Sequence, residues 1–371
     1  MLYSTNKGVY SMRTFFIAIV LLNTFITGFV NAQTVKQVAP IPGDPFELAT
    51  GPATIADTPE KRGAILNLLE RARQNNNLHI NGMNPFDLKA SFNSGGPTGN
   101  SDPGDLEESW LSGTSWRWSQ HLGTYSQLRI FHNGIAYDSH PGSYQPLRLQ
   151  MIRQAIFWPV SGNFTNDVIR VAESSLNGKP VTCALIAGPR ASVSQATGRQ
   201  WNDEEFCVDP STGFLQTYSI APGIYDVYDY SNAMPFHGHS IARRITIVEN
   251  SVVVATIELV IKDLNTTDAS YFTPSADMKG PGIMIGSPMR FPQIAKNNLA
   301  ATSTGVVQPI IIHAALDVSG KVLEAEALQS SDPALSEAAL QLVKNTNYGP
   351  TRSRELVQRD VFINVQFVPA Q

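Results

Sequence analysis

Apolar residues recur at every second position over most of this chain, and helical spacing replaces that alternation in three places. Strand-like runs are predicted at Phe86–Phe92, Glu107–Trp118 and Tyr125–Ala136, the last folded back at the Asn133-Gly134 turn signal. They resume at Val168–Ser174, Pro180–Ala187, Glu205–Val208, Phe214–Ile220, Ile224–Tyr230, Ile241–Glu249 and Val252–Ile261. Asn177-Gly178, the Asp209–Gly213 stretch and Glu249-Asn250 separate them as turns. The first helix opens at Thr58-Pro59-Glu60-Lys61, a cap followed by a first-turn proline, with Ile65, Leu66, Leu68 and Leu69 as its apolar face. A short helix is predicted over Leu147–Trp158, ahead of Pro159. Successive strands with short turns and one or two helices predict an antiparallel curved sheet or half-barrel over residues 59–272.

The C-terminal residues 288–371 carry a second pattern. Ile310, Ile312, Ala314, Leu316 and Val318 share one strand face, and Ile311, His313, Ala315 and Asp317 share the other. Ser319-Gly320 supplies a hairpin turn, because glycine tolerates positive φ, and Lys321–Leu328 returns. Asp332 and Pro333 suit the cap and first position of a helix whose stripe is Leu335, Ala338, Ala339, Leu342, Val343 and Thr346. Tyr348-Gly349-Pro350 stops it, and Val361, Ile363, Val365 and Phe367 alternate along a last strand. The fold class is therefore α+β: the large antiparallel sheet plus a small β-β-α-β unit. Thr273–Ser287, rich in Pro and Gly and without periodicity, reads as the linker, at most about 50 Å when extended.

Phe291-Pro292-x-x-Ala295, Gly305-Val306-Val307, the Ser319-Gly320 hairpin and the strand ending at Phe367 together resemble the TonB family C-terminal domain. That resemblance implies a binding module touching an envelope protein partner such as an outer-membrane receptor. The larger region resembles the LolA/LppX-like lipoprotein-carrier superfamily through Glu108-x-Trp110, Trp116-Arg117-Trp118 and Cys207-x-Asp209-Pro210-x-x-Gly213-x-Leu215. That resemblance implies an apolar cavity for a lipid or hydrophobic peptide, lined by Trp116, Trp118, Leu128 and Ile130. The alternative reading places these aromatics in an ordinary β core.

Lys7 and Arg13 precede an apolar run from Phe15 to Val30, closed by Val30-Asn31-Ala32, the layout of a secretory signal peptide over residues 1–32. The run is roughly 16 residues, short of the ~20 a membrane span needs, so cleavage is expected over anchoring. Residues 33–58, rich in Pro, Ala and Thr, read as a flexible leader. A periplasmic location follows. With a net charge of −4 and no basic block, nucleic acid is not an expected partner.

In an oxidising compartment the chain's two cysteines, Cys183 and Cys207, are expected to form a disulfide. His237-Gly238-His239 is the best metal candidate but shows no third ligand nearby, and Asp102, Asp105, Glu107 and Glu108 form an acidic cluster without EF-hand spacing. His313 and Asp317, about 13 Å apart along a strand, cannot pair directly. No cofactor motif, nucleophile elbow, His-Glu-x-x-His or phosphate-binding loop is present. The expected function is a periplasmic binding or adaptor protein and not an enzyme. Its C-terminal strand, Asp360, Val361, Phe362, Ile363, Asn364, Val365, Gln366 and Phe367, would take a partner, or a second copy of the chain, by strand addition. The alternative is an exported hydrolase that its C-terminal module localises.

Overall fold

The structure, a computed structural model, describes residues 46–95, 101–139, 144–193, 198–266, 268–282, 288–296, 309–329, 333–350 and 358–368. The signal-like segment, the start of the leader, Gly305-Val306-Val307, Ser331-Asp332 and part of the linker lie outside them. No helix among the described residues is long and apolar enough to cross a membrane.

The chain begins with β1 (Thr54–Ile55), α1 (Pro59–Asn76), β2 (Phe86–Gly95), β3 (Ser101–Ser112), β4 (Ser115–Leu122), β5 (Tyr125–His132) and β6 (Ile135–Asp138). Next come α2 (Leu147–Phe157), β7 (Val168–Leu176), β8 (Lys179–Ala187), β9 (Glu204–Val208), β10 (Leu215–Ser219) and β11 (Ile224–Asp229). A small hairpin, β12 (Met234–Phe236) and β13 (His239–Ile241), precedes β14 (Arg244–Glu249) and β15 (Val252–Asp263). The C-terminal part holds β16 (Met289–Lys296), β17 (Pro309–Asp317), β18 (Val322–Gln329), α3 (Pro333–Lys344) and β19 (Gln358–Val368).

Thirteen strands form one antiparallel sheet in the order β1-β7-β8-β9-β10-β11-β14-β15-β2-β3-β4-β5-β6. As expected, Thr58 caps α1, its hydroxyl accepting from Lys61 N at 3.3 Å. The run read as one strand, Glu107–Trp118, is two: β3 and β4 turn on each other so that Trp110 pairs with Trp116. Gly104 faces Phe92 across the β2–β3 ladder, where a Cβ would sit 2.1 Å from the Phe92 ring. The disulfide is present, joining Cys183 on β8 to its direct cross-strand neighbour Cys207 on β9.

Helix α2 explains the curvature. Nine of its eleven residues are buried, among them Arg148 and Arg153. Gln154 donates to the Tyr218 hydroxyl of β10, and Tyr228 of β11 donates to the Ala155 carbonyl. Arg148 pairs with Glu249 of β14, while Arg153 pairs with Glu108 of β3 and covers Trp118 of β4 at 4.4 Å. A single helix touching strands this far apart in the order requires the sheet to bend round it. The apolar inner face, including Phe86, Leu88, Phe206, Ile245 and Ile257, joins Leu149, Ile152 and Phe157 of the helix in one core.

The second sheet runs β16-β19-β17-β18, with β16 parallel to β19 and the other pairs antiparallel. Its two faces are the two predicted from alternation. Ile310, Ile312, Ala314, Leu316, Val361, Ile363, Val365 and Phe367 pack with Ala339 and Val343 of α3. On the opposite face Ile311, Leu328 and Phe362 join the core of the large sheet. The strand expected to accept a partner needs correction: Asp360–Phe367 is paired on both sides, by β16 and β17, and only Gln366 among these residues is not buried. Its backbone groups are already satisfied, so no strand can be added there. The edges of this sheet are β16 and β18.

Candidate ligand-binding site

Where the C-terminal sheet meets α2 and strands β4–β6, a hollow of about 580 Å³ remains, within the size range of ligand pockets. Cross-strand register fixes its large-sheet wall. Trp116 pairs with Phe131 and Trp118 with Arg129, so all four project from one face. Trp116 and Phe131 stack at 5.0 Å. Met151, Arg153 and Trp158 come from α2 and its end, Ile220 follows β10, and His313, Asp360 and Phe362 close the far side.

Of the four residues expected to line a cavity, Trp116 and Trp118 do. Leu128 and Ile130 do not: they pair with Ser119 and Arg117 and occupy the opposite face. There a short 3-10 helix, Ala269–Phe272, packs, with Arg117 lying over the Tyr271 ring at 4.9 Å. The period of two makes this unavoidable, since neighbours of Arg129 in sequence must point away from it.

Three cationic groups reach the hollow, each in different company. Arg129 makes a bidentate pair with buried Asp138 at 2.5 and 2.6 Å. His313 stacks on Phe362 at 4.4 Å, donates to Asp360, and lies 3.5 Å from Glu326. Burial opposes its charge, but these two acids outweigh it and push its pKa to about 10. Arg153 donates one Nη2–H to Glu108 at 3.1 Å, and its guanidinium lies over Trp118, Phe157 and Trp158. Glu108 also bonds His79, whose ring stacks on Trp110 at 4.0 Å; burial draws the His79 pKa down, so the imidazole contributes no full charge. Burial likewise lowers Arg153 to about 10, leaving it charged at neutral pH.

A second hollow, about 670 Å³, shares Gln154, Ser161, Ile220 and Pro288 with the first and extends past Glu204, Trp201 and Arg290. Arg290 donates to the Ile220 carbonyl at 2.6 Å and lies over Phe362.

The other sequence candidates separate. His237 pairs with Asp263 on the surface, and His239 sits across the β12–β13 hairpin from Phe236. The acidic cluster is split by its strand: Asp105 and Glu107 face solvent beside His121 and Lys89, and Glu108 points inward. Among the described residues the only grouping of three metal-ligating side chains is Cys183, Glu205 and Cys207, where both sulfurs are in the disulfide. Sequence reasoning missed His79, Arg148 and Arg153. Glu108 was seen as part of an aromatic motif and of the acidic cluster, and the one usable signal for Arg148 and Arg153 was a pair of cations among the apolar residues of a short helix.

No family model and no curated protein matches the chain. Solved structures similar to part of it include the following three. A LolA superfamily protein from Nitrosomonas europaea is 14% identical, with a TM-score of 0.39 over 56% of this chain and 97% of that one. A putative outer membrane lipoprotein-sorting protein domain from Vibrio parahaemolyticus is 8% identical, with a TM-score of 0.37 over 56% and 95%. A DUF1329 family protein from Desulfovibrio piger is 11% identical, with a TM-score of 0.36 over 58% and 98%.

Proposed function

We propose that this is an exported, periplasmic binding protein that holds a lipid or hydrophobic peptide in the hollow between its two sheets. The observation that carries the reading is the wall itself: Trp116, Phe131, Met151, Trp158, Ile220 and Phe362 surround one space of ligand size. Apolar side chains around a solvent-sized space are stabilised when an apolar chain displaces water from them. The C-terminal sheet then serves as a fixed wall of the site, and a protein partner adding a strand to it would meet β16 or β18. Export rests on the signal-like N-terminus.

Native mass spectrometry of protein purified from a bacterial envelope tests this, followed by organic extraction. An added mass that extraction removes, and that Ile220→Trp abolishes by filling the space, is the expected result. A wild-type chain that carries nothing and takes up no apolar ligand in titration refutes it.

A further inference from the structure

The polar atoms in the wall of the hollow say more about the ligand. Among the lining residues, three buried side-chain atoms have no hydrogen-bond partner: Trp118 Nε1, Arg153 Nη1 and His313 Nδ1. All three are nitrogens that donate when the imidazole is protonated. His313 Nδ1 has Glu326 at 3.5 Å to balance it. Trp118 Nε1 and Arg153 Nη1 have nothing, and both residues are at least nine-tenths buried, 1% and 5% exposed. An unpaired buried donor is unfavourable, and a charged one more so.

The hydrogen bonds of the cationic groups point the same way. Arg129 pairs with Asp138, and His313 has Asp360 and Glu326. Arg153 has Glu108, which also bonds the uncharged His79, and the buried Nη1 of its guanidinium has no hydrogen-bond partner. A guanidinium fork is shaped for two parallel bonds to a planar or tetrahedral acid, and here one half of that capacity is unspent.

Resting on the binding role proposed above, we infer that the hollow takes an amphiphile with an acidic head. Its carboxylate or phosphate accepts from Arg153 Nη1 and Trp118 Nε1, and its chain lies along Trp116, Phe131 and Ile220. The site thus discriminates acids from neutral lipids of the same length.

Titration of the full chain with oleate, oleyl phosphate and oleyl alcohol, followed by tryptophan fluorescence, tests this. Both acids are expected to bind at least about tenfold more tightly than the alcohol, and the ratio between the two identifies which head fits. The double variant Arg153→Met/Glu108→Gln, which removes both charges and avoids stranding the glutamate, is expected to bind all three alike. Equal affinity of the wild-type protein for the three ligands overturns the acidic-head assignment and leaves the apolar site standing. Failure of all three to bind overturns both.

Discussion

His313 holds a positive charge where burial disfavours one, and one part of the alkaline pH dependence of stability follows from it, beside that of buried Asp226 and Glu205, whose carboxyls burial pushes up to about 8. The ordinary pKa of His313 is 6.5 and its folded value about 10, so its contribution is complete below about 6.5 and is lost as pH rises toward 10. Glu326 behaves oppositely: burial acts against its charge, but Arg148 and His313 hold its carboxyl below the usual 4.5, so its contribution is lost only on acidification. Melting temperature is therefore expected to fall between pH 7 and 10, and His313→Gln to flatten that fall. A variant with the wild-type alkaline slope would show that the charge lies elsewhere. None of this was legible in the sequence, where His313 stood beside Asp317 on its own strand; its real partners, Glu326 and Asp360, come from two other strands.

At the scale of elements, local chemistry was readable and register was not. The Thr58 cap, the Asn133-Gly134 turn and the α3 stripe all depend on neighbours a few residues away, and all appear where the pattern places them. The inner face of β5 depends on how β4 turns into it, which alternation alone cannot fix, so Leu128 and Ile130 were placed on the wrong side. Likewise β19 became central because β16, far away in sequence, pairs parallel with it. The Ser319-Gly320 turn shows how tight such local chemistry is. Gly320 has φ +87°, accepts a hydrogen bond from Tyr348 N at its carbonyl oxygen at 2.9 Å, and a Cβ there would lie within 2.2 Å of the Gly349 oxygen. Gly320→Ala meets both a strained φ and immovable backbone, and is expected to cost about 1–3 kcal/mol in urea unfolding. A loss under about 0.5 kcal/mol would mean that the turn rearranges freely.

Across the whole molecule, one side chain makes ion pairs with both sheets. Arg148 leaves α2 to pair with Glu249 of the large sheet and, at 3.1 Å, with Glu326 of the small one. Glu324 adds a bond to Leu147 N, and Gln358 one from Gln145 N. Arg148→Met leaves Glu249 in a buried setting without its paired cation and Glu326 with His313 alone, and is expected to destabilise the protein by about 3–5 kcal/mol. The triple variant that also carries Glu249→Gln and Glu326→Gln should recover most of that loss in thermal unfolding. If it does not, packing of the arginine stem outweighs charge.

The hollow is bounded by Trp116 and Phe131 on one sheet and by Phe362 on the other, so neither sheet owns it. Affinity for whatever fills it is thereby a joint property, and mutations far from the ligand, in either half, will be inherited by it. By the same reciprocity an occupant becomes mortar between the halves: at one hundred times its dissociation constant it adds about 2.7 kcal/mol to their cohesion. An occupant of the hollow and the architecture around it would share one free energy.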